Sequence, residues 1–113
     1  MAKRVVVLGA GESGAGAAVL AKLKGFDVFV SDSSPIKENY LSLLKEYNIE
    51  NESGTHTMDK ILNADEVIKS PGIPDTVPVM RAILEKGIPV ISEIEFAGRY
   101  TNAKMICILS VHI

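Results

Sequence analysis

The chain reads as an α/β domain built on an open parallel sheet, and three observations point there. Short β-branched runs alternate with helix-like stretches along its length. The first run, Val5, Val6, Val7 and Leu8, is apolar without alternation, which is the pattern of a strand buried on both faces, as in parallel sheets. That run leads straight into Gly9-Ala10-Gly11-Glu12-Ser13-Gly14, a G-x-G-x-x-G turn followed by a helix-like stretch. Strand, glycine turn and helix in that order is the context in which the motif has physical meaning. Together these features predict a Rossmann-like open parallel sheet of about five strands with helices on both faces.

Composition sets the outer bounds. The 113 residues suffice for one domain, and a domain of that size buries roughly two-thirds of its unfolded surface. With 47% hydrophobic and 23% charged residues the chain is ordinary for a soluble globular protein. The net charge of −2, three Phe and three Tyr, with no basic block, argue against a nucleic-acid surface. No run approaches the ~18 apolar residues of a membrane span. The basic start Lys3-Arg4 and the apolar run after it mimic a leader, but the run breaks at Gly9. A single cysteine, Cys107, excludes an intrachain disulfide and fits a reducing cytoplasm.

The elements follow in order. After strand 5–8, a helix is expected over 15–24, rich in small residues (Ala15, Gly16, Ala17, Ala18) that allow close approach to the sheet, with Val19, Leu20 and Leu23 adding apolar bulk and Gly25 as its stop. Strand two is expected over 27–31. Ser34 before Pro35 has the form of an N-cap and first-turn proline, so a second helix is expected over 35–47, its stripe of Ile36, Tyr40, Leu43, Leu44 and Tyr47 facing the core. Residues 49–53 predict a short polar strand near a sheet edge, 54–57 a loop, and 58–63 one or two helical turns. A fourth strand over 65–70 is stopped by Pro71-Gly72-Ile73-Pro74. A helix over 76–86, with Val79, Ile83 and Leu84 apolar, ends at Gly87, and a fifth strand is expected over 88–91. Ser92-Glu93-Ile94-Glu95 is a capping-box pattern opening a short helix to about Tyr100, and 105–109 has the look of a further strand.

Three loops should meet at the carboxyl edge of such a sheet, where ligands bind. Gly9 allows the tight turn, Gly11 lets a phosphate approach the backbone, and Gly14 lets the helix pack against the strand. The first helical turn, including Glu12 and Ser13, offers unpaired N–H groups to an anion. The Glu12 carboxylate must then point to solvent, with Lys69 available to offset it. Asp32 follows Gly9 by 23 positions, near where dinucleotide-binding folds place an acid at the end of strand two. Asp32 and Ser33 can take hydroxyls or a base edge, or cap a helix. Ser70 and Gly72 either add donors near the phosphate or simply stop a strand. His56 has no Cys, His or carboxylate cluster at ligand spacing and reads as a loop residue. No metal site, catalytic residue or Walker-type loop is evident. The pattern is that of a nucleotide-binding domain without a catalytic centre. An NAD-binding module, with Asp32 on the adenosine ribose, and a protein-binding module remain alternatives.

Four segments in this order, V-V-V-L-G-A-G-E-S-G, V-S-D-S-S-P, A-D-E-V-I-K-S-P-G-I-P and G-I-P-V-I-S-E-I-E-F, resemble the N-terminal domain of the Mur ligases of peptidoglycan synthesis, most closely the D-glutamate-adding members. The resemblance spans residues 3–108. It implies a domain that binds the UDP part of UDP-N-acetylmuramoyl-L-alanine and uses no nicotinamide. By motif match, Glu12 and Ser13 would lie beside the phosphates and muramoyl group, Asp32 and Ser33 at the uracil, and Ser70 and Gly72 near the diphosphate. The full-length family activates the substrate carboxylate with ATP and Mg²⁺ as an acyl phosphate, which the amine of D-glutamate attacks. In the family, the strand matching 105–108 enters a T-G-S/T-N-G-K-T/S phosphate loop, whereas here Leu109-Ser110-Val111-His112-Ile113 follows. The expectation is therefore a substrate-binding domain over 1–100 and, over 101–113, the truncated start of a central ATPase domain, either as a domain fragment or with its tail replaced by a frame disruption. Lacking the central and C-terminal domains, it would bind no cofactor, bind substrate weakly and catalyse nothing alone.

Overall fold

The computed structural model describes residues 2–100. The strand expected over 105–109, Cys107 and the segment 101–113 lie outside the described residues. Ten elements alternate: β1 (Arg4–Leu8), α1 (Glu12–Leu23), β2 (Asp27–Asp32), α2 (Glu38–Glu46), β3 (Glu50–Ser53), α3 (Met58–Ile61), β4 (Glu66–Lys69), α4 (Pro78–Lys86), β5 (Val90–Ser92) and α5 (Glu93–Gly98). The five strands form one sheet in the order β3-β2-β1-β4-β5, and every pair is parallel. This is the open α/β sheet that the sequence predicts, with the polar strand β3 at an edge.

The unbroken apolar run of β1 is explained by its central position. Val5 and Val7 point into one layer with Ala17, Ala18 and Ala21 of α1, Leu44 of α2 and Phe96 of α5. Val6 and Leu8 point into the other layer with Ile61 of α3 and Val79, Met80 and Ile83 of α4. All four β1 side chains are fully buried. At about 1.5–3 kcal/mol for each buried aliphatic side chain, this strand anchors both layers. The alanines of α1 bring that helix close to the sheet, while Leu23 and Leu84 are exposed rather than packed. Tyr40 and Tyr47 pack against the first layer, as expected of core tyrosines. No helix among the described residues is long and apolar enough to cross a membrane.

Several boundaries differ from the sequence expectation, each for a local reason. Helix α1 starts at Glu12, not residue 15, with Gly11 as its N-cap. Helix α2 starts at Glu38, not Pro35, because the Asp32 carboxylate accepts the Ser34 N–H at 2.9 Å. That turn holds the chain out of the helix, and Ile36 reaches the core from the irregular segment before α2. Helix α4 takes Pro78, not Thr76, into its first turn. Strand β5 begins after Pro89, whose carbonyl accepts the Val67 N–H. The capping box forms: Ser92 Oγ accepts the Glu95 N–H at 3.1 Å, and the Glu95 carboxylate accepts the Ser92 N–H at 3.3 Å.

Candidate functional site

Because all strands run the same way, the loops after β1, β2, β3 and β4 open on one edge. There they surround a cavity of about 600 Å³. The loop after β1 forms the first wall. Gly9 takes φ +98°, and a Cβ there would lie 2.9 Å from that of Ser70. Its N–H donates to the Ser31 carbonyl at 2.9 Å. A Cβ on Gly14 would fall 1.9 Å from the Gly9 carbonyl oxygen, so this glycine is what lets α1 start directly behind the turn. Gly11, by contrast, has nothing within 4 Å of its Cβ direction and faces the cavity.

Asp32 ends β2 and holds two loops. Its Oδ2 accepts the Ala10 N–H at 2.8 Å and its Oδ1 the Ser34 N–H at 2.9 Å. Asp32 and Ser33 line the cavity beside Ser34. Opposite them stand Ser70 and Gly72, continued by an apolar wall that includes Ile73, Val77 and Val79. The Ser70 N–H donates to the Leu8 carbonyl. Lys69 does not approach Glu12. Its Nζ donates to the Ile73 carbonyl at 2.7 Å and pairs with Asp75 at 3.4 Å, which braces the loop after β4.

Of the nine candidate residues, the structure gathers six around the cavity: Gly9, Gly11, Asp32, Ser33, Ser70 and Gly72. Glu12 is exposed on the first turn of α1 and Gly14 is buried beneath Gly9. Ser13 turns away, and its hydroxyl donates to Glu93 Oε2 at 2.8 Å. Glu93 is buried at the start of α5. Burial pushes its carboxyl above the ordinary value, against the opposing Ser13 hydrogen bond.

Sequence reasoning passed over the loop after β3. His56 and Met58 line the cavity, and His56 Nδ1 lies 2.7 Å from the Ser31 hydroxyl. Ser31 is fully buried and donates to Glu52 Oε2 at 2.8 Å. Glu52 also receives the Thr57 N–H at 2.7 Å and the Thr57 hydroxyl at 2.6 Å. Burial raises the Glu52 carboxyl, but the hydrogen bonds from Thr57 and Ser31 and the charge of Lys60 outweigh it and hold it below the ordinary value. The signal that could have found His56 is topological: in an all-parallel sheet the loop after a third strand shares the edge of the first two.

The MurD N-terminal domain family model matches residues 4–78. The chain belongs to this family. It is 67% identical over 106 residues to a UDP-N-acetylmuramoylalanine--D-glutamate ligase of Bacteroides fragilis, an alignment covering 94% of this chain and 24% of the relative. A ligase of the same name from Porphyromonas gingivalis is 60% identical over 104 residues, covering 92% and 23%. The chain thus spans about a quarter of the length of these relatives. Among solved structures, a murein peptide ligase from Psychrobacter arcticus superposes with a TM-score of 0.79 at 21% identity, over 88% of this chain and 21% of that one. That likeness concerns the fold alone. With MurD N-terminal membership shown, the nicotinamide alternative is not favoured. No group of three His, Cys, Asp or Glu that could hold a metal occurs among the described residues, and residues 1–113 contain no G-x-x-x-x-G-K-[ST] loop.

Proposed function

We propose that this MurD N-terminal domain binds UDP-N-acetylmuramoyl-L-alanine for the D-glutamate-adding ligase of peptidoglycan synthesis, in the cytoplasm. The observation that carries the reading is the cavity at the carboxyl edge, which joins a glycine turn open at Gly11 to a polar floor at Asp32 and Ser33. The diphosphate would sit against Gly11 and Gly72, where the start of α1 leaves amide N–H groups without intrahelical acceptors. Glu12 and Ser13 would contribute those backbone amides rather than their side chains. The nucleoside would lie over Asp32 and Ser33. Each Asp32 oxygen already accepts one backbone N–H and keeps a second acceptor position for the ligand.

Ligation itself would need the central and C-terminal domains. Activation of the substrate carboxylate would be supplied by ATP and Mg²⁺ in those other domains, and this chain would contribute binding and orientation. The test is a thermal shift of the chain with UDP-N-acetylmuramoyl-L-alanine, UDP, NADH and ATP in parallel. A ligand at 100 times its dissociation constant adds about 2.7 kcal/mol, roughly 10–20 °C for a domain of this size. A shift with the uridine ligands alone is expected. A shift with NADH alone would sink the reading.

A further inference from the structure

We propose that His56 is a specificity-determining residue of the cavity: its Nε2 is an unprotonated acceptor that takes a hydrogen bond from a donor on the nucleoside of the bound nucleotide. The inference rests on the nucleotide reading above and deepens it.

The argument turns on a single proton. The Ser31 hydroxyl has three neighbours within hydrogen-bonding distance: Glu52 Oε2 at 2.8 Å, the Thr55 carbonyl at 3.2 Å and His56 Nδ1 at 2.7 Å. A hydroxyl has one proton to give. The Thr55 carbonyl can only accept. Glu52, held ionised by the hydrogen bonds of Thr57 and Ser31 and the charge of Lys60, can only accept as well. If Nδ1 were the unprotonated nitrogen, the Ser31 proton could serve only one of these acceptors. Giving it to the ring would leave the Ser31 oxygen facing a carboxylate oxygen at 2.8 Å with no proton between them. Ser31 donating to Glu52 and His56 Nδ1–H donating to Ser31 is the arrangement that puts a proton in both of the short contacts and leaves only the longer one, to the Thr55 carbonyl, without one. The hydrogen bond made by one ring nitrogen sets the state of the other, so neutral His56 carries its lone pair on Nε2.

Nε2 makes no hydrogen bond among the described residues, and His56 lines the cavity. Its place in the sheet assigns the end of the ligand it meets. The glycine turn follows β1, Asp32 and Ser33 follow β2, and His56 follows β3, in the spatial order β1, β2, β3. The His56 ring reaches back to the Ser31 hydroxyl, so it stands beside β2, the strand that ends at Asp32 just before Ser33, one strand removed from β1 and its glycine turn. A base N–H or a ribose hydroxyl supplies the matching donor.

Two measurements on the 113-residue chain test this. A long-range proton–nitrogen-15 spectrum of the imidazole should show Nδ1 protonated and Nε2 bare in the free chain; a protonated Nε2 in the neutral ring overturns the inference. Titration calorimetry then compares wild type with His56→Asn, whose amide N–H replaces Nδ1–H toward Ser31 but leaves nothing at Nε2. The ligands are UDP and three analogues that lack, in turn, the imide proton, the 2′-hydroxyl and the 3′-hydroxyl. UDP should bind the variant about fivefold or more weakly, and the analogue missing the partner donor should bind both proteins alike. Equal UDP affinity for the two proteins, or an equal loss with every analogue, overturns the inference. Absence of UDP binding to wild type would remove the nucleotide reading together with it, whereas the loss confined to His56→Asn addresses His56 alone.

Discussion

Substituting Gly14 and Gly11 separates what the glycine turn does for the fold from what it does for a ligand. A Cβ at residue 14 would lie 1.9 Å from the Gly9 carbonyl oxygen and 2.9 Å from its carbonyl carbon. Both are backbone atoms, and Gly9 is itself held by its N–H bond to the Ser31 carbonyl. To bring the closer contact to 3.0 Å the start of α1 must retreat by about 1 Å. Overpacking costs about 1–3 kcal/mol, and a backbone neighbour puts Gly14→Ala at the upper end. Alanine returns about 1 kcal/mol through helix propensity, which leaves a net loss of about 2 kcal/mol. The melting temperature followed by far-ultraviolet circular dichroism should fall by about 8–16 °C. Gly11→Ala meets nothing within 4 Å and sits at φ −79°, open to any residue. A poorer N-cap and a less flexible unfolded chain offset each other, so its melting temperature should stay within about 4 °C of wild type. Its new methyl group would stand where a phosphate meets the loop, and UDP affinity should fall about tenfold or more. Gly14→Ala melting within about 3 °C of wild type would refute the packing argument. Undiminished UDP binding by Gly11→Ala would refute the phosphate assignment.

Other perturbations follow from the same geometry. Glu93 has a folded-state carboxyl raised by burial, so the native state holds its proton more tightly than the unfolded chain, and stability falls as pH rises from the ordinary carboxylate value through the folded one. Glu93→Gln should therefore gain on wild type in melting temperature across that window, and a constant difference at all pH values would refute the linkage. Glu52 has the opposite sign: its lowered folded value contributes stability above the ordinary carboxylate value, lost as pH falls through the folded one. Glu52→Gln should be less stable than wild type at neutral pH and approach it in acid, measured by urea denaturation at the two conditions. Arg4 donates from Nε to Asn63, from Nη1 to Asp27 and from Nη2 to the Lys60 carbonyl, all within 2.9 Å. Lysine cannot reproduce that fork, and Arg4→Lys should cost about 1–2 kcal/mol in chemical denaturation.

Much of this domain was legible because its signals are local. The unbroken apolar run of β1, the glycine turn and the capping box at Ser92 each depend on neighbours within a few positions. The misplaced start of α2 shows where local reading fails. Ser34 and Pro35 have the chemistry of a helix start, but the Asp32 carboxylate two residues earlier claims the Ser34 N–H first. The orientation of Ser13 was beyond reach for another reason, since its partner Glu93 lies 80 positions away. His56 was hidden because β3 is short and polar, with the weakest hydrophobic pattern of the five strands. Its contact with Ser31 and its place at the cavity are visible only once the sheet order brings Ser31 beside the loop after β3.

The Asp32 carboxylate works as a caliper. One oxygen grips the glycine turn through Ala10 and the other grips the loop after β2 through Ser34, so the spacing between these two walls of the cavity is fixed by the protein itself. A guest whose charged group and ring system match that span meets a cavity that needs little rearrangement, and little conformational freedom is lost on binding. A guest with a longer or shorter connection can satisfy one jaw only by pulling on the other. Under the proposed binding of a nucleotide, selection by length would then reside in a hydrogen-bond pair within the protein, ahead of any contact with the ligand itself.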